Sequence, residues 1–235
     1  MGPAGAAPER RAVLITRPEA EAASTAAQVA ARGLVPVIAP LLRVEALRPA
    51  LPTRIQAVLA ASGNAVAALP PLPVKLLAVG DATAARARAR GFTEVYSAGR
   101  DAEALAGLAA QLFDPAGPPL LLAAGRGQGG ALAARLRDRG FRVIRRAVYA
   151  ASPVPAFPPA ASAALEAGTL RAALFLSAET ARVFCRLLPA GLRLSLGSVE
   201  ALAIGEPAAL ALKAVPWRHV RVAARPTLDE VLALL

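Results

Sequence analysis

The chain has 235 residues, of which 56% are hydrophobic and 18% charged, so it is too apolar for intrinsic disorder and long enough for two domains of roughly 100 residues each. Its one cysteine, Cys185, excludes a disulfide framework, and with the one histidine, His219, it is too little for a Cys/His zinc site. The formal net charge is +11, from 27 Lys and Arg residues against 16 Asp and Glu residues.

Almost all of the positive charge is arginine, because the only lysines are Lys75 and Lys213. Arginine binds phosphates and carboxylates through its planar fork, which favours an anionic partner. A biased genome explains the same excess equally well. No basic run alternates with aromatic residues, so a phosphate or a polycarboxylate is favoured over nucleic acid.

Nothing in the sequence predicts export or membrane insertion. The N-terminal segment has no apolar core after a basic start, as a secretory signal requires. No stretch reaches the roughly 18 uninterrupted apolar residues of a membrane-spanning helix. We therefore expect a cytoplasmic protein with no membrane partner.

Short apolar runs alternate with longer Ala, Leu and Arg segments of helical period, which predicts an α/β fold with parallel sheets. The predicted strands are residues 12–16, 35–38, 57–61, 76–79, 95–96, 120–123, 142–149, 173–176, 201–204 and 220–223. The predicted helices are residues 19–32, 64–69, 82–90, 102–112, 130–139, 179–188, 208–213 and 228–235. Gly33, Gly91 and Gly140 follow predicted helices, where a left-handed residue commonly ends the helix.

Three pairs of similar positions indicate two copies of one α/β half. The strand and turn at Gly80 resemble those at Gly205, and Ser62 resembles Ser177 in ending a strand. The unit that contains Gly33 likewise resembles the unit that contains Gly140. Since the two opening units do not follow one another in the order of a simple tandem repeat, one domain is predicted to be discontinuous.

The predicted first domain comprises residues 1–38 and 152–235, and the second comprises residues 44–148. Residues 39–43 and 149–151 lie in extended segments and are predicted to be the connectors. Residues 152–159 contain four prolines, a composition that excludes a helix and suits a returning connection.

Gly125, Gly127 and Gly130 form a GxGxxG pattern after a predicted strand and before a predicted helix, the setting of a dinucleotide site. No acidic residue follows at the ribose position. Arg145 and Arg146 lie there instead, and they would suit a 2′-phosphate. An NADP site is therefore one interpretation, and a glycine-rich turn with modest anion affinity is the other.

Small hydroxyl residues recur where a predicted strand leads into a helix, at Thr16, Ser62, Thr83 and Ser177. Ligands of parallel α/β sheets bind beyond the carboxyl ends of the strands, where N–H groups and helix dipoles favour anions. Such hydroxyls suit carboxylate binding, and N-capping of the helices is the alternative explanation.

Six short motifs together resemble the uroporphyrinogen-III synthase family, over residues 12 to 235. They are, in chain order, Val13-Leu-Ile-Thr16-Arg17-Pro18, Ala61-Ser62-Gly63-Asn64-Ala65-Val66, Ala78-Val79-Gly80-Asp-Ala-Thr83-Ala84, Ala147-Val148-Tyr149, Phe175-Leu-Ser177 and Ala203-Ile204-Gly205. The resemblance implies two flavodoxin-like parallel-sheet domains joined by a two-stranded connector.

The resemblance also implies a function. Such an enzyme is a hydro-lyase of the tetrapyrrole and heme pathway: it removes the terminal hydroxyl of hydroxymethylbilane, inverts the last pyrrole ring through a spiro intermediate and closes the macrocycle, without metal or cofactor. We expect a monomer that can receive its substrate from the preceding pathway enzyme.

The resemblance assigns roles to individual residues as well. Tyr149 is the expected general acid, with packing of a strand tyrosine as the alternative. The expected substrate-binding residues are Arg17, Ser62, Asn64, Thr83, Gly125, Ser177 and Gly205. The chain departs from the family pattern at Ala61, at Ala124 and at Glu206-Pro207-Ala208, where the family commonly has Thr, Arg and a Thr-containing turn.

Two other functions fit parts of the sequence. The GxGxxG pattern with its following arginines suits an NADP-dependent oxidoreductase. The hydroxyl residues and the arginine excess suit a non-catalytic protein that binds anionic small molecules.

Overall fold

The structure, a computed structural model, describes residues 11–99 and 101–235. The strands are β1 Ala12–Ile15, β2 Val35–Ile38, β3 Leu42–Ala46, β4 Ala57–Ala60, β5 Lys75–Ala78, β6 Val95–Ser97, β7 Leu120–Gly125, β8 Val143–Pro153, β9 Leu170–Phe175, β10 Glu200–Ala203 and β11 His219–Val222. The α-helices are α1 Glu19–Ala30, α2 Gly63–Ala67, α3 Asp81–Ala89, α4 Ala102–Leu112, α5 Gly130–Asp138, α6 Pro159–Glu166, α7 Ala178–Leu187, α8 Glu206–Leu212 and α9 Leu228–Leu232. Two short 3-10 helices, Ala190–Leu192 and Leu194–Ser198, precede β10.

The described chain divides into two compact units. Unit 1 contains the described residues up to Arg43 together with Ser152–Leu235, and unit 2 contains Val44–Ala151. The chain passes from one unit to the other within β3 and within β8, which are neighbours in a sheet. Leu47 N donates to Val148 O at 2.7 Å and Val154 N to Leu41 O at 3.0 Å, so β3 and β8 run in opposite directions.

Each unit has its own sheet. The order is β11-β10-β9-β1-β2 in unit 1 and β3-β8-β7-β4-β5-β6 in the second sheet. All neighbours are parallel apart from β3 and β8. The predicted α/β fold with parallel sheets is thereby confirmed.

The order of the strands creates a switch point in each sheet. In the second sheet α5 leads outward from β7 to β8, whereas α2 and the following loop lead the other way from β4 to β5. The carboxyl ends of β4 and β7 therefore flank a gap that no crossing helix fills, the usual ligand position in such sheets. The same relation holds for β1 and β9 in unit 1.

Strand burial explains why continuous apolar runs form these sheets. Every residue of β1, β4 and β7 is buried, as expected of parallel strands covered on both faces. Successive side chains enter opposite cores, so that Leu14 packs on one face of the first sheet and Ile15 on the other. Arginine is absent from β1, β4 and β7 and lies on helices, loops and less buried strands, as Arg145 does on β8.

The structure contains elements that the predicted strands and helices lack: the strand β3, the helix α6 and the two 3-10 helices. Residues 159–166 form α6, directly after the proline-rich segment that was predicted to be a returning connection. Pro159 is the first helical residue, where its missing N–H costs nothing. A proline at the first helical position is a common sign of a helix start. The alanine-rich sequence of α6, however, lacks the regular alternation of polar and apolar residues that predicts a helix.

No helix in the described ranges is both long enough and apolar enough to cross a membrane.

The aromatic residues of unit 1 form one cluster. Phe184 is fully buried, and its ring centroid lies 5.2 Å from that of Phe175, 5.3 Å from that of Phe157 and 5.2 Å from that of Trp217. In a chain so poor in aromatics, these contacts fill volume that Ala and Leu would leave empty.

We predict that Phe184→Ala lowers the free energy of unfolding by about 3–5 kcal/mol, because a large cavity remains in a dense core. Urea unfolding followed by the fluorescence of Trp217 measures it, since this is the only tryptophan of the chain. The matched control is Leu194→Ala, at a side chain 89% exposed, which we expect to change stability by less than about 0.5 kcal/mol. Equal effects of the two substitutions would contradict the assigned packing.

Candidate functional site

The site in unit 2 begins at Ser62, which follows β4 and precedes α2. Ser62 has extended backbone angles, and its Oγ accepts a hydrogen bond from Ala65 N at 3.2 Å, so it is the N-cap of α2. The same hydroxyl donates to the phenol oxygen of Tyr149 at 3.2 Å. N-capping, the alternative explanation, therefore accounts for Ser62, and its hydroxyl also contacts the phenol of Tyr149. Carboxylate binding by Ser62 stays a prediction.

Tyr149 lies on β8, and only 5% of it is exposed. Its phenol group donates to Gln128 Oε1 at 2.9 Å while accepting from Ser62. Its backbone oxygen accepts from Arg126 N at 2.8 Å. The predicted general acid is thus held at its hydroxyl and at its backbone, beside the gap between β4 and β7.

Gly125 is the last residue of β7, and the side chains of Tyr149 and Gln128 occupy the space where a side chain at this position would lie. A Cβ built on Gly125 would lie 2.8 Å from Tyr149 Cζ and 2.8 Å from Gln128 Oε1. Any residue larger than glycine would push the phenol or the amide away. This is a physical reason for glycine that requires no ligand.

The same contacts bear on the GxGxxG pattern. Gln128 folds back over Gly125, with its N donating to Gly125 O at 2.9 Å. Arg145 Nη1 donates to Gln128 O at 2.9 Å and so holds the loop to the next strand. Gln128 therefore occupies the space next to Gly125, and Arg145 fixes the loop to β8. These contacts explain the glycine at position 125 by packing, without a bound dinucleotide.

Thr83 and Asn64 lie on the two helices next to these loops. Thr83 is the third residue of α3 and 8% exposed, and the N-cap of α3 is Gly80, which makes no side-chain cap. N-capping therefore does not explain Thr83, in contrast to Ser62. Asn64 is the second residue of α2.

Arg86 of α3 is a neighbour of this turn that the sequence did not predict. A Cβ on Gly63 would lie 2.8 Å from Arg86 Nη1 and 3.1 Å from its Cδ, so the guanidinium packs directly against the start of α2. Gln128 was missed as well. No local sequence pattern marks either residue as part of a site. Only the folded chain brings Arg86 to the start of α2 and Gln128 to the hydroxyl of Tyr149.

Unit 1 holds the remaining predicted residues in the corresponding places. Ser177 caps α7 by accepting from Thr180 N at 3.1 Å, as Ser62 caps α2. Gly205 is the N-cap of α8 and makes no side-chain cap. Ser177 and Gly205 thus follow neighbouring strands, as do Ser62 and Gly80 in unit 2.

Arg17 already has partners within unit 1. Its Nη2 contacts Glu21 Oε2 at 2.7 Å and its Nη1 donates to Thr25 Oγ1 at 3.0 Å. Its Nε is buried and has no hydrogen-bond partner in the structure described. The guanidinium is thus positioned by α1, and one donor remains unused.

The single cysteine and histidine both belong to unit 1. Burial raises the pKa of the Cys185 thiol, and Arg193 opposes the shift only in part. His219 is exposed at the start of β11. Among the residues described, no three His, Cys, Asp or Glu side chains cluster as a metal site would require.

A model of the family described as uroporphyrinogen-III synthase HemD matches residues 23–233. The chain belongs to the uroporphyrinogen-III synthase family. The family resemblance predicted from the six motifs is therefore confirmed, and with it membership in a family of hydro-lyases.

Solved structures agree with the fold described above. The chain is similar to uroporphyrinogen-III synthetase from Helicobacter pylori 26695, with 17% identity, 95% of this chain and 97% of that chain covered, and a TM-score of 0.63. It also matches a mutant uroporphyrinogen III synthase from the extremely thermophilic bacterium Thermus thermophilus, with 21% identity, 94% and 96% coverage and a TM-score of 0.49. The first likeness supports the fold. A comparison with curated proteins finds no match.

We predict that Gly125→Ala lowers the free energy of unfolding by about 1–3 kcal/mol, because the added methyl overpacks against Tyr149 and Gln128. The matched control is Gly107→Ala, inside α4 with nothing within 4 Å of its Cβ position, and it should stabilise the chain by about 0.5–1 kcal/mol. Urea unfolding followed by far-ultraviolet circular dichroism compares the two. A stabilising Gly125→Ala would contradict the packing described.

Proposed function

We propose that this protein cyclises hydroxymethylbilane to uroporphyrinogen III, with loss of water and inversion of the last pyrrole ring. The observation that carries this proposal is the family match along residues 23–233. The site in unit 2 supports it, since a buried, doubly hydrogen-bonded phenol lies where ligands of parallel sheets bind. No observation favours an oxidoreductase or a binding protein without activity.

We propose that Tyr149 is the general acid. A phenol is protonated at neutral pH and can donate as the terminal C–O bond of the substrate breaks, so that the hydroxyl leaves as water. The carbon that forms the closing C–C bond later loses a proton, and this proton restores the phenol. The net change is then the loss of one water, as the reaction requires.

The phenol oxygen can carry charge between these two proton transfers. Ser62 Oγ already donates to it, and this hydrogen bond strengthens when the phenol loses its proton. Ser62 Oγ accepts from Ala65 N through a lone pair, and its single proton is the one donated to the phenol oxygen. Ser62 thereby supports the acid as well as the helix.

We further propose that Ser62, Asn64, Thr83, Gly125, Ser177, Gly205 and Arg17 bind the carboxylates of the substrate. The support is their location after the carboxyl ends of parallel strands, where N–H groups of helix starts are directed outward. The hydroxyls of Ser62 and Ser177 cap helices, so these positions would bind carboxylates mainly through the backbone N–H groups next to them. Arg17 contributes its positive charge beside Glu21.

Each unit is proposed to be a flavodoxin-like domain, and β3 and β8 the two-stranded connector. Counted within unit 1 alone, the strand order is 2-1-3-4-5, the flavodoxin-like order. The proposed boundaries remain residues 1–38 and 152–235 for the first domain and 44–148 for the second. We also propose that the protein is a cytoplasmic monomer that receives its substrate from the preceding pathway enzyme. Size-exclusion chromatography with light scattering would test the monomer.

We predict that Tyr149→Phe lowers kcat by about 10²–10⁴-fold, the usual effect of removing a general acid. The assay is incubation with hydroxymethylbilane, followed by separation of the type I and type III products. Tyr96→Phe is the matched control because Tyr96 is the other tyrosine and lies on β6. Tyr149→Phe with the turnover of that control would show that the phenol is not the acid.

We predict that Thr83→Val weakens substrate binding by roughly ten- to a hundred-fold, because it removes a hydrogen bond to a carboxylate and keeps the shape of the side chain. Thr83→Ser keeps the hydroxyl and should retain most of the affinity. The measurements are KM and the free energy of unfolding, and the latter should change little since Thr83 does not cap α3. An unchanged KM in Thr83→Val would leave the residue without a role in binding.

A further inference from the structure

Gln128 is the second side chain, with Ser62, that hydrogen-bonds the hydroxyl of Tyr149. The phenol carries one proton, and it donates that proton to Gln128 Oε1 at 2.9 Å. The donors therefore form a chain with one direction: Ala65 N to Ser62 Oγ, Ser62 Oγ to the phenol oxygen, and the phenol to Gln128. Gln128 is the last acceptor in this series of hydrogen bonds, so it sets the direction of the O–H bond of Tyr149.

The loop that carries Gln128 is hydrogen-bonded to β8 at two points, the N–H of Arg126 and the backbone oxygen of Gln128. Arg126 N donates to Tyr149 O at 2.8 Å, and Arg145 Nη1 donates to Gln128 O at 2.9 Å. Gly127 and Gly129, with φ of 76° and 80°, allow the sharp bends on either side of Gln128. Three separate features thus position one side chain.

Gly125 is the close neighbour that the amide of Gln128 and the phenol of Tyr149 share. Since a Cβ on Gly125 would lie 2.8 Å from both the amide oxygen and the phenol ring, both groups pack directly against the glycine backbone at the end of β7. Gln128 as a whole is exposed, whereas only 5% of Tyr149 is exposed, so the hydrogen bond joins a buried phenol to a side chain at the surface.

We propose that Gln128 is a positioning residue that holds and orients the hydroxyl of Tyr149 for proton donation. This inference rests on the proposed function of Tyr149 as the general acid. Gln128 keeps the phenol proton in one place until the departing hydroxyl of the substrate competes for it. It does not touch the reacting atoms in this role and acts through Tyr149.

The chemistry of an amide suits this role better than that of a carboxylate. An amide has one acceptor and one donor end, so rotation of its last bond replaces Oε1 by an N–H that can donate to the phenolate. A carboxylate would accept only and would repel the phenolate. Glutamine can therefore serve the hydroxyl in both of its protonation states.

Two substitutions of Gln128 in the full chain test the inference. Gln128→Met keeps the size and removes both polar ends, and we expect kcat to fall about five- to ten-fold with KM within two-fold of the unchanged chain. Gln56→Met is the matched control, since Gln56 bonds the backbone oxygen of Asp114 instead, and it should keep its kcat. An unchanged kcat in Gln128→Met would overturn the proposal.

The second substitution gives a signature that a purely structural role would not produce. Gln128→Glu is ionised at neutral pH, so we expect a low kcat whose ratio to that of the unchanged chain rises as the pH falls from about 8 towards about 5. Protonation converts the carboxylate into a neutral group with a donor and an acceptor, as in the amide. A ratio that does not change with pH would overturn the proposal, even if Gln128→Met failed to fold.

The combination of substitutions separates this inference from the proposed function. If Gln128 acts through Tyr149, Gln128→Met has no further effect in the Tyr149→Phe background, and an additional loss there would overturn the proposal. Full activity of Tyr149→Phe by itself would remove the general acid and the positioning role together. A strong effect of Tyr149→Phe with none of Gln128→Met would remove only the role of Gln128.

Discussion

The parallel register between β4 and β7 is the constraint on which the site in unit 2 depends. Ala57 pairs with Leu120 and Ala60 with Ala123. Continuing this register places Ser62, two residues after the end of β4, beside Gly125, the last residue of β7. Sixty-three positions apart in sequence, they become neighbours through hydrogen bonds that involve neither of their side chains.

The apolar core holds that register. Because the strands are buried on both faces, a slip by one residue would exchange every side chain between the two cores, at a large loss of packing. Tyr149 belongs to the core that also contains Ala65 and Val66 of α2. The residue at the centre of the site is therefore positioned by the same packing that stabilises the sheet, and its hydroxyl is the polar end of a buried ring.

Much of the arginine excess has local partners. Arg32, Arg88, Arg137 and Arg142 each donate to a backbone oxygen, two of these oxygens belonging to strands, and the guanidinium groups of Arg135 and Arg139 contact Glu103. Those two arginines lower the pKa of the exposed Glu103 carboxyl. Net charge thus favours anions near the protein in a general way, and it does not identify the arginines that would bind them.

The sequence by itself determined the α/β class, most of the strands and helices, and the family, because these depend on apolar runs, helical periods and short motifs along the chain. It also predicted site roles for Tyr149, Ser62 and Gly125. Only the tertiary structure decided the contacts among these three residues. It alone also decided which groups Gln128, Arg86 and Arg145 contact. These residues come from different turns, and no local pattern records which loop ends beside which; the pairing of β4 with β7 and of β7 with β8 brings them together.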